Sequence, residues 1–347
     1  MSAKSSIRLN FDFKNFSALQ TDLYQSTMAA GYFKYHRDLV ATFEMFIKRM
    51  PHERSYFIAC GLEQVIEYLI NLEFSQEEID FLRKHPSFES VNRSFFDYLK
   101  NFKFKGELRA VPEGTVIFAD EPLIQITAPI IEAQIIETYI LSVVHIQTLI
   151  ATKASRIVQV ASKDGRKRPV IDFGSRRAHG PQAGVYAARA SYIGGCDGTS
   201  NVYAGLKFNI PTYGTMAHSW VESFEKEEKS FKKYFETFPK STILLVDTYN
   251  TIEGVKKALQ INPEIKGIRL DSGDLLYLSK KSRKMLDEAG LKHVKIMASG
   301  NLNEYKIGEL VDKKAPIDSF GVGTELVTSH DSPSVDLIYK LIIAQIL

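Results

Sequence analysis

The segment 243–271 contains two short apolar runs separated by a helical pattern: Ile243-Leu-Leu-Val-Asp247, residues 250–260, and Gly267-Ile-Arg-Leu-Asp271. Apolar runs of this length, ending in polar residues, are typical of strands that are buried on both faces. A strand, a helix and a strand in succession predict parallel strands joined by a right-handed crossover. The segment therefore indicates an α/β fold.

The alternation continues on both sides of this segment. Three further strand candidates are Val170-Ile-Asp-Phe173, Lys295-Ile-Met-Ala-Ser299 and Ser319-Phe-Gly-Val-Gly323, and a second helical pattern covers 276–289. Polar or small residues follow each candidate strand. This favours a barrel over an open doubly wound sheet, because the loops of a barrel converge at one mouth. We expect an irregular TIM-like α/β barrel over residues 141–347.

Residues 1–140 have a different pattern and predict an N-terminal α+β domain. Residues 23–101 are mostly helical in spacing, as in Leu62-Glu-Gln-Val-Ile-Glu-Tyr-Leu-Ile70. Residues 106–129 contain short apolar segments separated by proline and glycine, which predict a small antiparallel sheet. Residues 132–160 predict a long helix. Within it we expect His145 to be a core histidine bonded to a backbone carbonyl.

Composition excludes several classes of function. A formal net charge of +3 over 347 residues, with no basic tract, does not indicate nucleic-acid binding. Two cysteines are too few for a disulfide framework, and residues 1–8 lack an apolar signal core, so we expect a cytoplasmic protein. The apolar windows 129–150 and 338–347 are interrupted by polar residues or too short to span a bilayer, so we expect no membrane association. No histidine pair has the spacing of metal ligands, and we expect no built-in metal site.

Charged residues at the strand ends suggest a site for anionic substrates. Arg269 and Asp271 are two apart on one strand and therefore share a face. Asp247 ends the preceding strand. Each acid alone is as compatible with a salt bridge at the rim of the barrel as with a functional site. Their repeated position at strand ends favours function.

Two glycine motifs follow the last two strands, at Ser299-Gly-Asn301 and Gly321-Val-Gly-Thr324. Small residues at such positions let backbone N–H groups approach a phosphate. His218 lies among small residues in Gly214-Thr-Met-Ala-His-Ser219, which leaves room for a ligand beside its ring. An arginine of the pair at 176–177 is suited to bind an anion with two parallel hydrogen bonds.

Seven ordered motifs together resemble the nicotinate phosphoribosyltransferase family. They are Thr21-Asp-Leu-Tyr-Gln25, Phe43-Glu-Met-Phe-Ile-Lys-Arg-Met-Pro51, Phe173-Gly-Ser-Arg-Arg-Ala-His-Gly-Pro181, Gly194-Gly-Cys-Asp-Gly-Thr-Ser-Asn201, Gly214-Thr-Met-Ala-His-Ser219, Arg269-Leu-Asp-Ser-Gly-Asp274 and Gly321-Val-Gly-Thr324. The resemblance implies the barrel of a type II phosphoribosyltransferase. It also implies synthesis of nicotinate mononucleotide and pyrophosphate from nicotinate and phosphoribosyl pyrophosphate. The resemblance further implies that this reaction is coupled to ATP hydrolysis and is the first step of NAD synthesis from nicotinate.

The resemblance also implies roles for individual residues. Tyr24, Arg176, Thr215 and Arg269 would bind nicotinate, with Tyr24 reaching it from a neighbouring subunit of a homodimer. Arg176, Asp247, Asp271 and His218 would be the catalytic residues, and His218 would be phosphorylated by ATP. The phosphate-binding residues would be Ser299, Gly300, Gly321, Gly323 and Thr324. Mg²⁺ is expected to arrive with the pyrophosphate group.

Alternatives remain open on the residues alone. A sister transferase acting on nicotinamide or quinolinate would share the barrel and the phosphate loops. A catalytically impaired nucleotide-binding barrel and an unrelated barrel enzyme acting on a sugar phosphate are two others. Members of the family usually continue beyond the barrel with a segment that returns to the N-terminal sheet. We expect this chain to lack part of that segment, with an apolar ending over 342–347 that would be unfavourable if exposed.

Overall fold

A computed structural model describes residues 17–346 of the chain, and the side chains of residues 17–345. Residues 1–8, which were expected to lack a signal core, lie outside this range. The strands are β1 Leu39–Ile47, β2 Phe57–Ile58, β3 Glu107–Ala110, β4 Val116–Ile117, β5 Ile124–Pro129, β6 Val170–Asp172, β7 Gly198–Thr199, β8 Ile243–Leu245, β9 Gly267–Leu270, β10 Lys295–Ala298, β11 Ser319–Val322 and β12 Leu337–Ile346.

The helices alternate with these strands in the C-terminal part of the chain. They are α1 Leu23–Tyr35, α2 Leu62–Asn71, α3 Gln76–Lys84, α4 Arg93–Leu99, α5 Ile130–Ile135, α6 Glu137–Ala161, α7 Pro181–Ile193, α8 Val202–Phe208, α9 His218–Glu222, α10 Glu227–Thr237, α11 Thr251–Leu259, α12 Leu275–Glu288, α13 Glu304–Asp312 and α14 Thr324–Val327. Two short 3₁₀ helices cover Pro86–Phe88 and Ser175–Arg177.

A six-stranded parallel sheet forms the centre of the C-terminal part. Its strand order is β7-β6-β11-β10-β9-β8, and every pair is parallel. The register brings the carboxyl ends of the strands to one edge, where Leu270 pairs with Ala298 and Val322 pairs with Asp172. The five longer strands of this sheet, β6 and β8 to β11, were each predicted from their apolar runs, and the α/β class is confirmed.

A four-stranded antiparallel sheet, in the order β12-β1-β5-β3, lies in the other part of the molecule, and β2 pairs separately with β4. The prediction of strands within 106–129 is therefore confirmed. The prediction that residues 23–101 are mostly helical is wrong at β1, where Ala41, Phe43, Met45 and Ile47 alternate with less buried side chains. This period of two is weak in sequence, because apolar residues also occupy the other face at Val40 and Phe46.

The apolar residues 337–346 form β12, which pairs antiparallel along β1. This pairing buries Tyr339, whose ring stacks on Phe43 at a centroid distance of 4.6 Å. Leu341, Ile342 and Ile343 keep between 44% and 48% of their surface exposed. The segment is therefore the edge strand of the sheet, with one side of its backbone paired to β1 and part of its apolar surface accessible.

Helix α6 connects two hydrophobic cores. Its first half, including Val143 and Val144, packs in the core around the antiparallel sheet. Its second half, including Ala154 and Ile157, packs in the core beneath the parallel sheet. The predicted long helix over 132–160 is interrupted once, at Ile136, between α5 and α6. Among residues 17–346, no helix is long and apolar enough to cross a bilayer.

His145 lies on α6 and corrects one expectation. Its Nε2 accepts a hydrogen bond of 3.1 Å from the backbone N–H of Val335, so its partner there is a donor and not a carbonyl. Burial lowers the pKa of His145, which favours the neutral ring that can accept this bond. The histidine thereby fixes the chain just before β12.

Candidate active site

A cavity of about 480 Å³ opens at the carboxyl ends of the parallel strands. Loops that follow five different strands contribute to it, as expected where a parallel sheet presents its carboxyl edge. Its lining residues are Phe173, Arg176, Arg177, Ser200, Gly214, Thr215, Met216, Ala217, His218, Arg269, Asp271, Ser299, Gly300, Asn301, Gly321, Gly323 and Thr324. Ten of the twelve residues that the sequence indicated are among them, and the other two are Tyr24 and Asp247.

Arg269 is the most buried cation of the cavity, with 13% of its side chain exposed. Its guanidinium donates a hydrogen bond to Thr215 Oγ1 and lies 3.8 Å from a carboxylate oxygen of Asp271. Burial lowers the pKa of Arg269, and the positive charge of Arg176 acts in the same direction. Two arginines thus share one region of positive potential, which suits a carboxylate or a phosphate.

Asp271 connects the cationic region with the loop after β10. It accepts a hydrogen bond from Ser299 Oγ and lies 3.8 Å from His218 Nε2. The sequence placed Arg269 and Asp271 on one face of a strand, and the structure places both on the cavity. Leu270 between them is fully buried in the core. The alternation of side chains along β9 therefore directs Arg269 and Asp271 to the cavity and Leu270 to the core.

Asp247 lies beneath the cavity and not on its wall. Its Oδ2 accepts hydrogen bonds from the backbone N–H of Asp271, at 2.9 Å, and from Ser272 Oγ, at 2.6 Å. The carboxylate thus fixes the backbone at the end of β9. Its Oδ1 is buried and has no hydrogen-bond partner among residues 17–346. In this geometry Asp247 acts on the cavity by positioning Asp271.

His218 begins α9 at the wall of the cavity, and about 40% of its side chain is exposed. Its Nδ1 lies 3.2 Å from Thr248 Oγ1, and its Nε2 faces Asp271. One ring nitrogen is therefore oriented by a hydroxyl while the other is directed towards a carboxylate. An imidazole held in this way can accept a phosphoryl group or a proton at Nε2.

Backbone geometry at the loop after β10 requires glycine. Gly300 has φ +93°, and a Cβ at this position would lie 1.8 Å from the carbonyl oxygen of Asp271. At the end of β11, a Cβ on Gly321 would lie 2.4 Å from the ring of Phe173. The backbone N–H groups of Gly300, Asn301 and Gly323 donate no hydrogen bond to another described residue. These cavity-lining residues therefore have free donors for an anion.

Asp172 ends β6 and is fully buried. It accepts hydrogen bonds from the backbone N–H of Gly174, at 2.8 Å, and from Thr199 Oγ1, at 2.7 Å. Burial raises the pKa of Asp172. The carboxyl group thereby holds the turn that carries Arg176 and Arg177. This role of Asp172 was not predicted from the sequence.

Arg177 and Ser200 line the cavity without having been singled out. Arg177 stands next to Arg176 in the sequence, and the 3₁₀ helix Ser175–Arg177 brings both to the cavity. Ser200 follows the two-residue strand β7, which was hidden in a glycine-rich turn. The adjacent arginine pair was a usable signal for Arg177, and the signal for Ser200 was its place in the motif at 194–201.

Tyr24 lies on α1, outside the cavity of its own chain. About half of its surface is exposed, and its hydroxyl donates to Glu137 over 3.2 Å. Gln25 Nε2 donates to the same hydroxyl oxygen over 2.9 Å. The ring is therefore held by its hydroxyl group while much of it remains accessible.

Two family models match this chain over most of its length. The nicotinate phosphoribosyltransferase N-terminal domain matches residues 19–145, and the nicotinate phosphoribosyltransferase family matches residues 169–343. The chain belongs to the nicotinate phosphoribosyltransferase family. It is thus an enzyme of this type, and its cavity is formed by residues from the matched C-terminal region.

Relatives within the nicotinate phosphoribosyltransferase family agree with this assignment. The chain is 45% identical over 331 residues to nicotinate phosphoribosyltransferase pncB2 of Mycobacterium tuberculosis, covering 94% of this chain and 70% of that protein. It is 44% identical over 343 residues to the nicotinate phosphoribosyltransferase of Bacillus subtilis, covering 96% and 68%. The chain therefore spans about 70% of the length of these relatives.

Solved structures show the same fold. Human nicotinic acid phosphoribosyltransferase superimposes with a TM-score of 0.83 at 28% identity, covering 93% of this chain and 74% of the human one. A nicotinate-nucleotide pyrophosphorylase from Pyrococcus furiosus superimposes with a TM-score of 0.76 at 26% identity, with the same coverage. The α/β architecture described above is thus the architecture of the family.

Proposed function

We propose that this chain joins nicotinate to phosphoribosyl pyrophosphate, giving nicotinate mononucleotide and pyrophosphate. The observation that carries the proposal is the division of one cavity into two kinds of anion site. Arg269 and Arg176 form a cationic region suited to the carboxylate of nicotinate, and the free N–H groups of Gly300, Asn301 and Gly323 suit the 5′-phosphate. Asp271 contacts both regions, because it lies 3.8 Å from Arg269 and accepts a hydrogen bond from Ser299 in the loop after β10.

The reaction breaks the bond between C1 of the ribose and the pyrophosphate oxygen. Positive charge then develops on the ribose ring, and Asp271 is placed to stabilise it electrostatically. The pyridine nitrogen is itself a nucleophile and forms the new bond to C1, so no general base is needed. The main tasks of the protein are to hold the two substrates in line and to exclude water.

Mg²⁺, when bound, would neutralise charge on the leaving pyrophosphate. Asp271 and the unpartnered Oδ1 of Asp247 are oxygen donors of the kind that Mg²⁺ prefers. Among residues 17–346, no group of three histidine, cysteine, aspartate or glutamate side chains could hold a metal ion by itself. The ion would therefore be bound together with the pyrophosphate group.

We infer four further properties that rest on the family. The six-stranded parallel sheet would form part of an irregular TIM-like barrel. The accessible ring of Tyr24 would contact nicotinate in the cavity of a second subunit of a homodimer, since it lies outside the cavity of its own chain. The protein would act in the cytoplasm, and ATP would be a co-substrate.

The proposed activity is tested by product formation from phosphoribosyl pyrophosphate and Mg²⁺ with nicotinate, nicotinamide or quinolinate, each with and without ATP. We expect nicotinate mononucleotide from nicotinate alone, formed faster with ATP. A third arginine in the cavity, Arg177, is the feature that would suit the second carboxylate of quinolinate. Product from quinolinate would therefore contradict the proposal in favour of the sister enzyme, and no product from any base would favour an impaired nucleotide-binding protein.

ATP coupling is expected to depend on His218. The His218→Ala variant should keep some synthesis without ATP and lose the stimulation by ATP, because Nε2 is the proposed phosphoryl acceptor. The measurement compares initial rates with and without ATP and follows transfer of label from γ-labelled ATP to the protein. His293, an exposed histidine bonded to the Pro263 carbonyl, provides the control variant His293→Ala. Stimulation that survives in His218→Ala would exclude the phosphohistidine.

A further inference from the structure

A cluster of buried charges lies outside the cavity, around Lys153 on α6. The side chain of Lys153 is fully buried. Its Nζ lies 2.7 Å from Glu304 Oε2, 2.8 Å from Asp331 Oδ1 and 4.0 Å from Glu325 Oε2. One ammonium group therefore interacts with three carboxylates that come from different segments of the chain.

Two arginines complete the cluster and balance its charge. Arg156 pairs with Glu304 at 3.1 Å and with Asp331 at 2.6 Å, and Arg54 pairs with Asp331 at 3.1 Å. Burial by itself would raise the pKa of Asp331, but Arg54 and Lys153 hold it well below its usual value. The carboxylate is therefore ionised, and the cluster contains three cations and three anions.

Stability alone does not account for such a cluster. Buried ion pairs can often be replaced by apolar side chains of similar volume without loss of stability, because desolvation offsets much of the attraction. What directed ionic contacts add is a defined relative position of the segments that carry them. The positions of the carboxylates therefore indicate what the cluster fixes.

Both anion-binding loops lead directly into this cluster. Glu304 is the first residue of α13 and follows the loop that contains Gly300 and Asn301. Glu325 lies on α14, two residues after Gly323. Lys153 itself does not line the cavity. Its ammonium group thus joins the segments that follow β10 and β11 from behind the cavity.

We propose that Lys153 is a positioning residue for the phosphate end of the cavity, holding the loops after β10 and β11 so that the N–H groups of Gly300, Asn301 and Gly323 converge on one phosphate. This inference rests on the proposed function, since it takes the 5′-phosphate of phosphoribosyl pyrophosphate as the anion. At the nicotinate end, Arg269 contacts Thr215 and Asp271, and neither of these residues belongs to the cluster. Loss of Lys153 should therefore weaken the binding of phosphoribosyl pyrophosphate and not the binding of nicotinate.

The chain provides a matched control in Arg189. This cation is also buried, and it bridges Glu63 on α2 and Glu113 between β3 and β4. It joins α7 to the N-terminal part of the molecule, away from the anion-binding loops. Arg189→Met removes a buried cation of comparable burial and should lower stability without changing phosphate binding.

The test measures binding of ribose 5-phosphate by calorimetry in the full chain, together with the KM of each substrate in the wild type and in Lys153→Met. We expect the Kd of ribose 5-phosphate and the KM of phosphoribosyl pyrophosphate to rise roughly ten- to hundredfold in Lys153→Met, since small displacements of positioning groups have effects of this size. The KM of nicotinate should stay within about twofold. Arg189→Met should leave the Kd of ribose 5-phosphate at the wild-type value.

Equal changes in Lys153→Met and Arg189→Met would overturn the inference, because the effect would then follow from general destabilisation. Absence of ribose 5-phosphate binding in the wild type would overturn it as well. If Lys153→Met does not fold, Glu325→Gln replaces it, since Glu325 is partly exposed. In Glu325→Gln, an increase in the Kd of ribose 5-phosphate that is smaller than the one expected for Lys153→Met supports the inference. No increase contradicts it. Failure of the proposed function is seen separately, as ribose 5-phosphate binding without turnover.

Discussion

Replacing Arg269 by methionine should lower kcat/KM for nicotinate by about 10²- to 10³-fold, the range found when one placed donor is removed from an active site. The guanidinium is almost buried, donates to Thr215 and faces Asp271. Methionine keeps much of the volume of the side chain but removes the charge and the paired donors. The measurement is steady-state kinetics with each substrate varied in turn.

The loss should fall mainly on nicotinate, because the phosphate end of the cavity is formed by other loops. Arg283 provides the control, since it is similarly buried and donates to the backbone carbonyls of Val294 and Leu291 away from the cavity. Arg283→Met should lower stability and leave the kinetics of nicotinate unchanged. Normal nicotinate kinetics in Arg269→Met, with a large loss in Arg177→Met, would move the carboxylate site to Arg177.

Gly300→Ala should destabilise the protein by roughly 3 kcal/mol or more, which is in the upper range of single substitutions, and abolish most phosphoribosyl pyrophosphate binding. The added Cβ would lie 1.8 Å from the carbonyl oxygen of Asp271, and φ at this residue is +93°. The carbonyl oxygen of Asp271 is a backbone atom and cannot turn aside as a flexible side chain would, so the backbone of the loop has to move. Denaturant unfolding and the KM of phosphoribosyl pyrophosphate measure the two effects.

Gly214 is the matched control for this substitution. It also lines the cavity, but a Cβ at this position would have no neighbour within 4 Å, and its φ is not positive. Gly214→Ala should therefore change stability by less than about 1 kcal/mol. If Gly300→Ala were as stable and as active as Gly214→Ala, the close approach of the loop to Asp271 would be wrong.

The parallel strands and most of the cavity could be predicted from local sequence. Each of the short apolar runs ends where polar or small residues begin. Because the carboxyl ends of parallel strands lie at one edge of a sheet, these residues are expected to lie together. This rule alone brought Arg269, Asp271 and the two glycine motifs to one place. The resemblance to a family extended the set to Thr215 and His218, which also line the cavity.

Local sequence was insufficient for the antiparallel sheet. Strand β1 has apolar residues on both faces, so its alternation was masked, and β12 acquires its hydrogen bonds only from β1. Strand β7 has two residues and no apolar run. Such segments become strands because a neighbour supplies the partner groups, and that information is not local.

By itself, the sequence determined the α/β class, the family, and which side chains follow the ends of the parallel strands. Only the tertiary structure decided how far each of these side chains is from the cavity. It placed Asp247 beneath Asp271 and Arg177 on the wall of the cavity, and it gathered Lys153, Glu304 and Asp331 into one buried cluster. The physical reason is that period and spacing specify the face of an element, whereas contacts between distant segments depend on how the elements pack.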